Sequence, residues 1–213
     1  MEQVNQPLSS PSKVNVVDRA KNIITQPAKE WNVIATEPAN AGQIITGYVL
    51  ILAGAAAIAA FIGYAFIGVE VMGIRFKGTN WGLYQALSVL LGGILSVYVT
   101  ALIVDALAPS FNSEKNYNRS VQLVAYSFTP SWIGGLLAIF PSIGIIGALF
   151  GLYGLYLMYI GLPKIKKTPS DKVTGYFIVT LIVTILVYMV IGWLMANVLM
   201  KAFGLDYDVL PFS

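Results

Sequence analysis

Apolar residues run in blocks of bilayer length along this chain, and the segments before, between and after the blocks hold nearly all of the charged side chains. The longest uncharged block covers residues 120–163. As a single helix it would be about 65 Å long, roughly twice the thickness of a hydrocarbon core. It must therefore cross a membrane twice. The predicted fold-back is at Phe140-Pro141-Ser142, because proline restricts the preceding residue and lacks a backbone donor.

Five segments are apolar enough and long enough to span a bilayer. Their boundaries are 44–69, 81–108, 121–140, 142–162 and 175–200. The sequence thus predicts an all-α membrane protein whose single domain, residues 44–200, is a bundle of five transmembrane helices. A disordered polar N-terminus is predicted over residues 1–13, and a short extracytoplasmic tail over residues 201–213.

Residues 14–43 form an amphipathic segment ahead of the first span. Its apolar side chains recur at steps of three, four and seven: Val17, Ala20, Ile24, Trp31 and Ile34. Pro27 splits the stripe and suits the first position of a second short helix, which Glu37-Pro38 ends. The pattern predicts a segment lying at the membrane interface with Trp31 as its anchor at headgroup level. The alternative is a helix that docks a cytoplasmic partner.

Composition and charge agree with a membrane bundle and orient it. Apolar residues make up 57% of the chain and charged residues 11%, far from the ~25% charged share of a soluble domain. An inward N-terminus places ten basic residues on the cytoplasmic side: Lys13, Arg19, Lys21, Lys29, Lys115, Arg119, Lys164, Lys166, Lys167 and Lys172. The other side then holds Arg75, Lys77 and Lys201, together with the acidic tail that carries Asp206 and Asp208. Basic residues favour cytoplasmic loops, so the N-terminus is expected inside and the C-terminus outside.

Small residues on the fourth span are spaced for close helix contact. They are Gly144, Gly147, Gly151 and Gly154, of which Gly147 and Gly151 form GxxxG. Such residues let helix backbones approach closely in lipid, where apolar burial supplies little driving force. We expect this face to pack within the bundle, or alternatively to form a contact between subunits of a homo- or hetero-oligomer.

Asp105 is the ionisable residue that falls inside a predicted span, in its last turn before Pro109. A carboxylate there faces the negative end of the helix dipole, so a basic partner is expected. Lys115 and Arg119 lie in the adjoining loop and are the predicted partners. The alternative role, a proton carrier, is disfavoured by the position near a membrane edge.

Polar residues interrupt the third span and line one side of the fourth. They are Tyr126, Ser127 and Pro130 in the third, and Tyr153 and Tyr156 in the fourth. Pro130 frees a backbone carbonyl one turn earlier, which neighbouring hydroxyls can help to satisfy. Together these side chains could line a polar crevice; the alternative is a structural kink with tyrosine hydroxyls bonded between helices.

Few kinds of chemistry are available to this chain. It contains no Cys and no His, which excludes disulfides, thiolate nucleophiles and the commonest metal ligand. It also lacks HExxH, GxSxG, a Walker loop and paired carboxylates within a span. We therefore predict no catalytic residues, no cofactor and no metal site. The basic residues are dispersed among loops, so the expected partner is membrane lipid and not nucleic acid.

Short elements in a fixed order resemble the Yip family of five-span membrane proteins, in particular its prokaryotic branch. They are IITQPAKEWNVIATEP before the spans, AYSFTPSWIGGLLAIFP in the third and LYGLYLMYIGLP closing the fourth, within residues 17–200. The resemblance implies five helices, a cytoplasmic N-terminus and, for a prokaryotic member, the inner membrane. Eukaryotic relatives bind Rab-type GTPases in vesicle trafficking. This sequence lacks their Asp-Leu-Tyr/Trp-Gly-Pro element, so small GTPase binding is not predicted.

Two functional hypotheses follow from these patterns. The first is a non-enzymatic membrane protein acting through protein or lipid contacts, in membrane organisation or a trafficking-like role. The alternative is a small transporter or channel whose path is lined by the kinked third span and the tyrosine-rich fourth.

Overall fold

A computed structural model describes residues 15–203, except for the side chains of Val71, Ile74, Ile145 and Ala148. Most of this range is helical. The elements in order are α1 (Val16–Thr25), α2 (Pro27–Thr36), α3 (Ala41–Ile44), α4 (Leu50–Ile62), β1 (Val69–Val71), β2 (Ile74–Phe76), α5 (Thr79–Leu107), α6 (Tyr117–Ser127), α7 (Thr129–Gly135), α8 (Gly144–Ile165) and α9 (Val173–Ala202). The predicted N-terminus at 1–13 and most of the predicted tail, with Asp206 and Asp208, lie outside the described residues.

Three helical stretches in the described range are long and apolar enough to cross a membrane. They are Ala41–Ile67, Thr79–Phe111 and Val173–Ala202. The first joins α3 and α4 through a π-helical turn at Ile45–Val49 and ends in a second one at Gly63–Ile67. A shorter apolar stretch, Leu149–Ile165, lies within α8. The structure thus confirms an all-α architecture and gives three spanning helices by length and composition.

The predicted third span, residues 121–140, is not one continuous helix. It consists of α6, α7 and a 3₁₀ turn at Leu136–Ile139. The break follows from Pro130, which cannot donate to the carbonyl of Tyr126 one turn earlier. The Thr129 hydroxyl donates to that carbonyl at 2.8 Å instead. The chain then turns back at Phe140 and Pro141, where the sequence predicts the fold-back.

The connections between helices gather at two ends of the bundle. The proximal end carries α1, α2 and the loops at 37–40, 112–116 and 166–172. Hydrogen bonds connect the segments at this end. Glu114 N donates to Lys166 O at 2.8 Å, and Ala41 N donates to Asn118 Oδ1 at 3.0 Å. The distal end carries the β1–β2 hairpin and the turn at 140–143, which contact each other.

The distal hairpin is an element that the sequence analysis does not predict. Its strands are antiparallel, with Glu70 opposite Arg75. Met72 and Gly73 form the turn at φ of 52° and 81°, the left-handed values that a type I′ hairpin turn requires. Methionine is rare in such a position, so Met-Gly lacks the usual sequence signature.

The main buried cluster lies mostly in the proximal half of the bundle. Helix α6 is buried from Ser120 to Ser127 because α3, α5 and α8 contact it. The distal half instead exposes large apolar side chains, among them Phe66, Leu149 and Trp193. These positions suit lipid, which is as apolar as the side chains that face it.

Candidate functional site

The amphipathic segment folds back as two helices onto the proximal end. Asn15 caps α1 by accepting a hydrogen bond from Val17 N at 3.0 Å, and Pro27 occupies the first turn of α2. The Tyr153 hydroxyl donates to Ile24 O at 2.8 Å, which attaches the end of α1 to α8. Ala20, Ile23, Trp31 and Ile34 are therefore buried on the protein itself, whereas Val17 of the predicted stripe is exposed.

Trp31 is fully buried, at 0% exposure, which corrects its predicted role as an interfacial anchor. Its indole ring lies against Gly161 and Leu123. A Cβ at Gly161 would lie 2.8 Å from Trp31 Cε2 and 2.6 Å from Leu123 Cδ1, so the missing side chain makes room for the ring. Trp31 is a packing residue between α2 and α8.

Arg19 is the buried charge that organises this segment. Its guanidinium donates to Glu30 Oε1 at 2.5 Å and also to Glu37, and it lies 5.3 Å from the centroid of the Tyr126 ring. Glu30 lies in the first turn of α2 and Glu37 follows its last residue, so one arginine ties α1 to both ends of α2. Sequence reasoning missed this cluster, although Arg19 lies one turn before the buried Ile23 on the same helix face.

A cleft of about 670 Å³ opens beside Arg19. Four parts of the chain form its walls: the start of α1, the loop after α2, the first turns of the Ala41–Ile67 helix, and α6. The lining residues are Asn15, Val16, Arg19, Glu37, Pro38, Asn40, Gln43, Ile44, Thr46, Gly47, Tyr48, Gln122 and Tyr126. The π-helical turn at Ile45–Val49 borders the cleft, and such turns are frequent at functional sites.

Buried polar side chains at the cleft are partly bonded to one another. The Tyr48 and Thr129 hydroxyls are 2.7 Å apart. Gln122 Oε1 accepts from Arg119 at 2.8 Å, and Arg119 also reaches Ile34 O at 3.5 Å, which joins α6 to α2. Within residues 15–203 the Tyr126 hydroxyl has no hydrogen-bond partner, so it is available to a ligand in the cleft.

Asp105 pairs with Lys166, which corrects the predicted pairing with Lys115 or Arg119. Lys166 Nζ donates to Asp105 Oδ1 at 3.1 Å, to Ser120 Oγ at 2.7 Å and to Asn116 O at 3.2 Å. Lys166 follows the end of α8, which the fold brings beside α5 and α6. Burial lowers the pKa of the Lys166 ammonium, and the hydrogen bond to Asp105 opposes that effect. This cluster joins three helices and is separate from the cleft lining.

The polar residues predicted to share a crevice are dispersed. Tyr126 lines the cleft, and Ser127 and Pro130 are buried at the helix break. Tyr153 attaches to α1, whereas Tyr156 stacks on Tyr153 with its ring exposed. The structure therefore does not bring the tyrosines of α8 together with Tyr126.

Three of the four predicted packing glycines face the helix before them. A Cβ at Gly147 would lie 2.7 Å from Gly134 O, and one at Gly154 would lie 2.8 Å from Ser127 O. A Cβ at Gly151 would lie 3.7 Å from Ser131 Oγ, while a Cβ at Gly144 would meet nothing within 4 Å. These contacts are within the chain, between α8 and the α6–α7 pair. No cluster of three or more potential metal-binding side chains occurs in the part of the chain that the structure describes.

Comparison with known proteins gives a family and two relatives. The model of the Yip1 domain family matches residues 21–206. The Inner membrane protein YohC of Escherichia coli, in strain K12 and in the O6:H1 strain CFT073, is 25% identical to the chain over 170 residues. The match covers 78% of this chain and 87% of the relative. No solved structure matches the chain.

Proposed function

The chain belongs to the Yip1 domain family, and from that premise we propose that it is a five-span protein of a bacterial inner membrane with its proximal end in the cytoplasm. The inner-membrane relative supports the location. The broken stretch Tyr117–Ile139 and the helix Gly144–Ile165 each extend about 33–35 Å at ~1.5 Å per residue, which suffices for two further crossings. The separation of loops into two ends also supports five crossings.

The distribution of basic residues supports the orientation. Among the residues that the structure describes, nine of the twelve Lys and Arg lie on the proximal side and three on the distal side. Because the chain has no cysteine, single cysteines can report each side. An impermeant maleimide should label Met72→Cys, at the exposed hairpin tip, in intact cells. It should label Lys167→Cys, an exposed proximal position, only after permeabilisation. Three crossings would give the same two results, so Ser142→Cys, exposed in the turn at 140–143, decides the count. Five crossings require its labelling in intact cells, and labelling only after permeabilisation would refute the five-span topology.

We further propose that the protein is not an enzyme and acts through contacts with lipid or protein at the proximal cleft. The observation that carries this proposal is the cleft itself. Its floor is a buried arginine held by two carboxylates, and its rim offers polar groups to an incoming partner. The pair of Arg19 with Glu30 is buried, whereas the second carboxylate, Glu37, is 27% exposed and faces the cleft.

Photo-crosslinking in native membranes tests the contact role. A photoreactive residue at Gln43, on the cleft rim, should give crosslinks to lipid or protein. The same residue at Val17, exposed on α1 but outside the cleft, should give none above background. Equal yields at the two positions would contradict a contact role for the cleft.

A small transporter is the second candidate function, and the helix break favours it. Broken helices at membrane depth are typical of transporter sites, and Tyr126 lies in the cleft just before the break at Phe128. This candidate predicts solute flux in reconstituted vesicles that changes in Tyr126→Phe. Reconstituted vesicles that show no flux of ions, protons or metabolites would refute the transporter function.

A further inference from the structure

We propose that the cleft binds the phosphate group of a membrane lipid headgroup, with Arg19 as the cationic partner and Glu37 as a resident anion that the phosphate replaces. The inference rests on the proposed contact function and names the ligand of that site.

Two asparagine side chains supply free N–H donors to the cleft. Asn15 Oδ1 and Asn40 Oδ1 each accept a capping hydrogen bond at 3.0 Å, from Val17 N and Gln43 N. Their amide nitrogens have no partner among the described residues, so each offers two N–H groups to the cleft. A ligand that presents several acceptor oxygens suits such a lining, and a phosphate presents them in a compact group.

The charges around Arg19 indicate where the phosphate would bind. Glu30 is buried with Arg19, whereas the Glu37 side chain is 27% exposed and lines the cleft. Arg19 has five N–H donors and uses two of them in its ion pairs with these carboxylates. A phosphate that takes the place of Glu37 leaves the charge around Arg19 unchanged and releases the glutamate to water. Planar arginine forks bind phosphate as well as carboxylate.

The position of the cleft favours a lipid as the source of the phosphate. Gln43, Thr46 and Tyr48 lie in the first turns of a membrane-crossing helix, at headgroup depth in the proposed topology. Val16, Pro38 and Ile44 add apolar surface that suits a glycerol backbone. The volume of about 670 Å³ lies within the ~300–1,000 Å³ typical of small-molecule sites and exceeds the needs of phosphate alone.

Native mass spectrometry of the full-length protein in detergent can test the inference. The protein is titrated with dioleoyl phosphatidylglycerol, and with dioleoylglycerol as the lipid that lacks phosphate. Glycerol 1-phosphate serves as the soluble competitor. The wild type should retain one phosphatidylglycerol in clear preference to dioleoylglycerol, and glycerol 1-phosphate should displace it.

Variants identify the residues that bind the lipid. Glu37→Gln should tighten phosphatidylglycerol binding several-fold, because the competing carboxylate is removed. Asn40→Asp keeps the capping oxygen but replaces the N–H donors with a carboxylate, so it should weaken binding by about tenfold. Asn32→Asp makes the same change at an exposed position on α2 outside the cleft lining and should leave binding unchanged. Thermal unfolding of each variant checks that the fold is retained.

Any of four results would overturn the inference. Equal retention of dioleoylglycerol would exclude recognition of phosphate. Weaker binding in Glu37→Gln, or no effect of Asn40→Asp, would exclude this mode of binding. Binding of glycerol 1-phosphate without phosphatidylglycerol would exclude a lipid as the source. Crosslinking from Gln43 that persists beside any of these results would leave the contact function standing and refute its ligand alone.

Discussion

The proximal and distal halves of the bundle are stabilised in different ways. The proximal half holds the main apolar cluster and the buried ion pairs of Arg19 and Lys166. The distal half of α9 is largely exposed, with Met189, Trp193 and Val198 facing outward. Lipid solvates exposed apolar side chains without penalty, so a membrane helix needs few protein contacts to stay in place. Close packing and ion pairs are therefore concentrated in the proximal half, where buried polar groups need hydrogen-bond partners.

The largest expected effect is the loss of the Arg19 cluster. Arg19→Leu leaves Glu30 buried without a cation, which should destabilise the protein by about 3–5 kcal/mol. Lys21→Leu, at an exposed position on the same helix, should change stability by about 0.5 kcal/mol or less. Equilibrium unfolding in mixed micelles measures the free energy of unfolding of both variants. Equal stability of the two variants would show that the buried ion pairs do not hold the proximal half together.

A matched pair of glycine variants compares the halves directly. Gly161→Ala places a methyl group against Trp31 and Leu123, and such overpacking should cost about 1–3 kcal/mol. Gly192→Ala, in α9, meets nothing within 4 Å and should be neutral, or stabilising by up to about 1 kcal/mol, because alanine favours helix. Destabilisation of similar size at the two positions would mean that the distal half is packed as tightly as the proximal one.

The smallest expected effect concerns an exposed ion pair in the proximal loops. The hydrogen bond from Lys167, at 2.8 Å, lowers the pKa of Glu114 below its ordinary 4.5. The stabilisation is therefore present at neutral pH and is lost as the pH falls through the lowered pKa of the folded state. Solvent screens this pair, so Lys167→Ala should cost about 0.5 kcal/mol at pH 7 and nothing in strong acid. A cost that stays the same at both pH values would contradict an ionic origin.

Proline positions made much of the fold predictable from the sequence. Pro27 begins α2, Pro130 marks the break between α6 and α7, and the chain turns back at Pro141. Each follows from the fixed φ and missing donor of proline, which act locally. Local rules therefore recovered these three boundaries, although α8 continues through Pro163 to Ile165.

The partners of polar residues could not be predicted in the same way. Lys115 and Arg119 are close to Asp105 in sequence, but the fold places Lys166 beside it. Tryptophan is a residue type that often anchors helices at a membrane interface. Only the packing of α2 on Gly161 shows that Trp31 is buried. Hydrophobic periodicity identifies the apolar face of a helix but not the surface that this face contacts. The cleft was missed for the same reason, because its four walls are distant in sequence.

Hydrogen–deuterium exchange in lipid nanodiscs tests the central claim, that the two N-terminal helices are folded onto the proximal end and build the cleft. An isolated helix of ten residues is marginal in water, so protection of α2 requires a surface that holds the helix. Protection that a change at Gly161 removes comes from packing on α8, whereas a helix held by lipid alone would keep its protection in that variant. We expect the amides of residues 30–35 to exchange orders of magnitude more slowly than in an unstructured peptide, and Gly161→Leu to remove that protection. Exchange of residues 30–35 at unstructured rates in the unaltered protein would contradict the account.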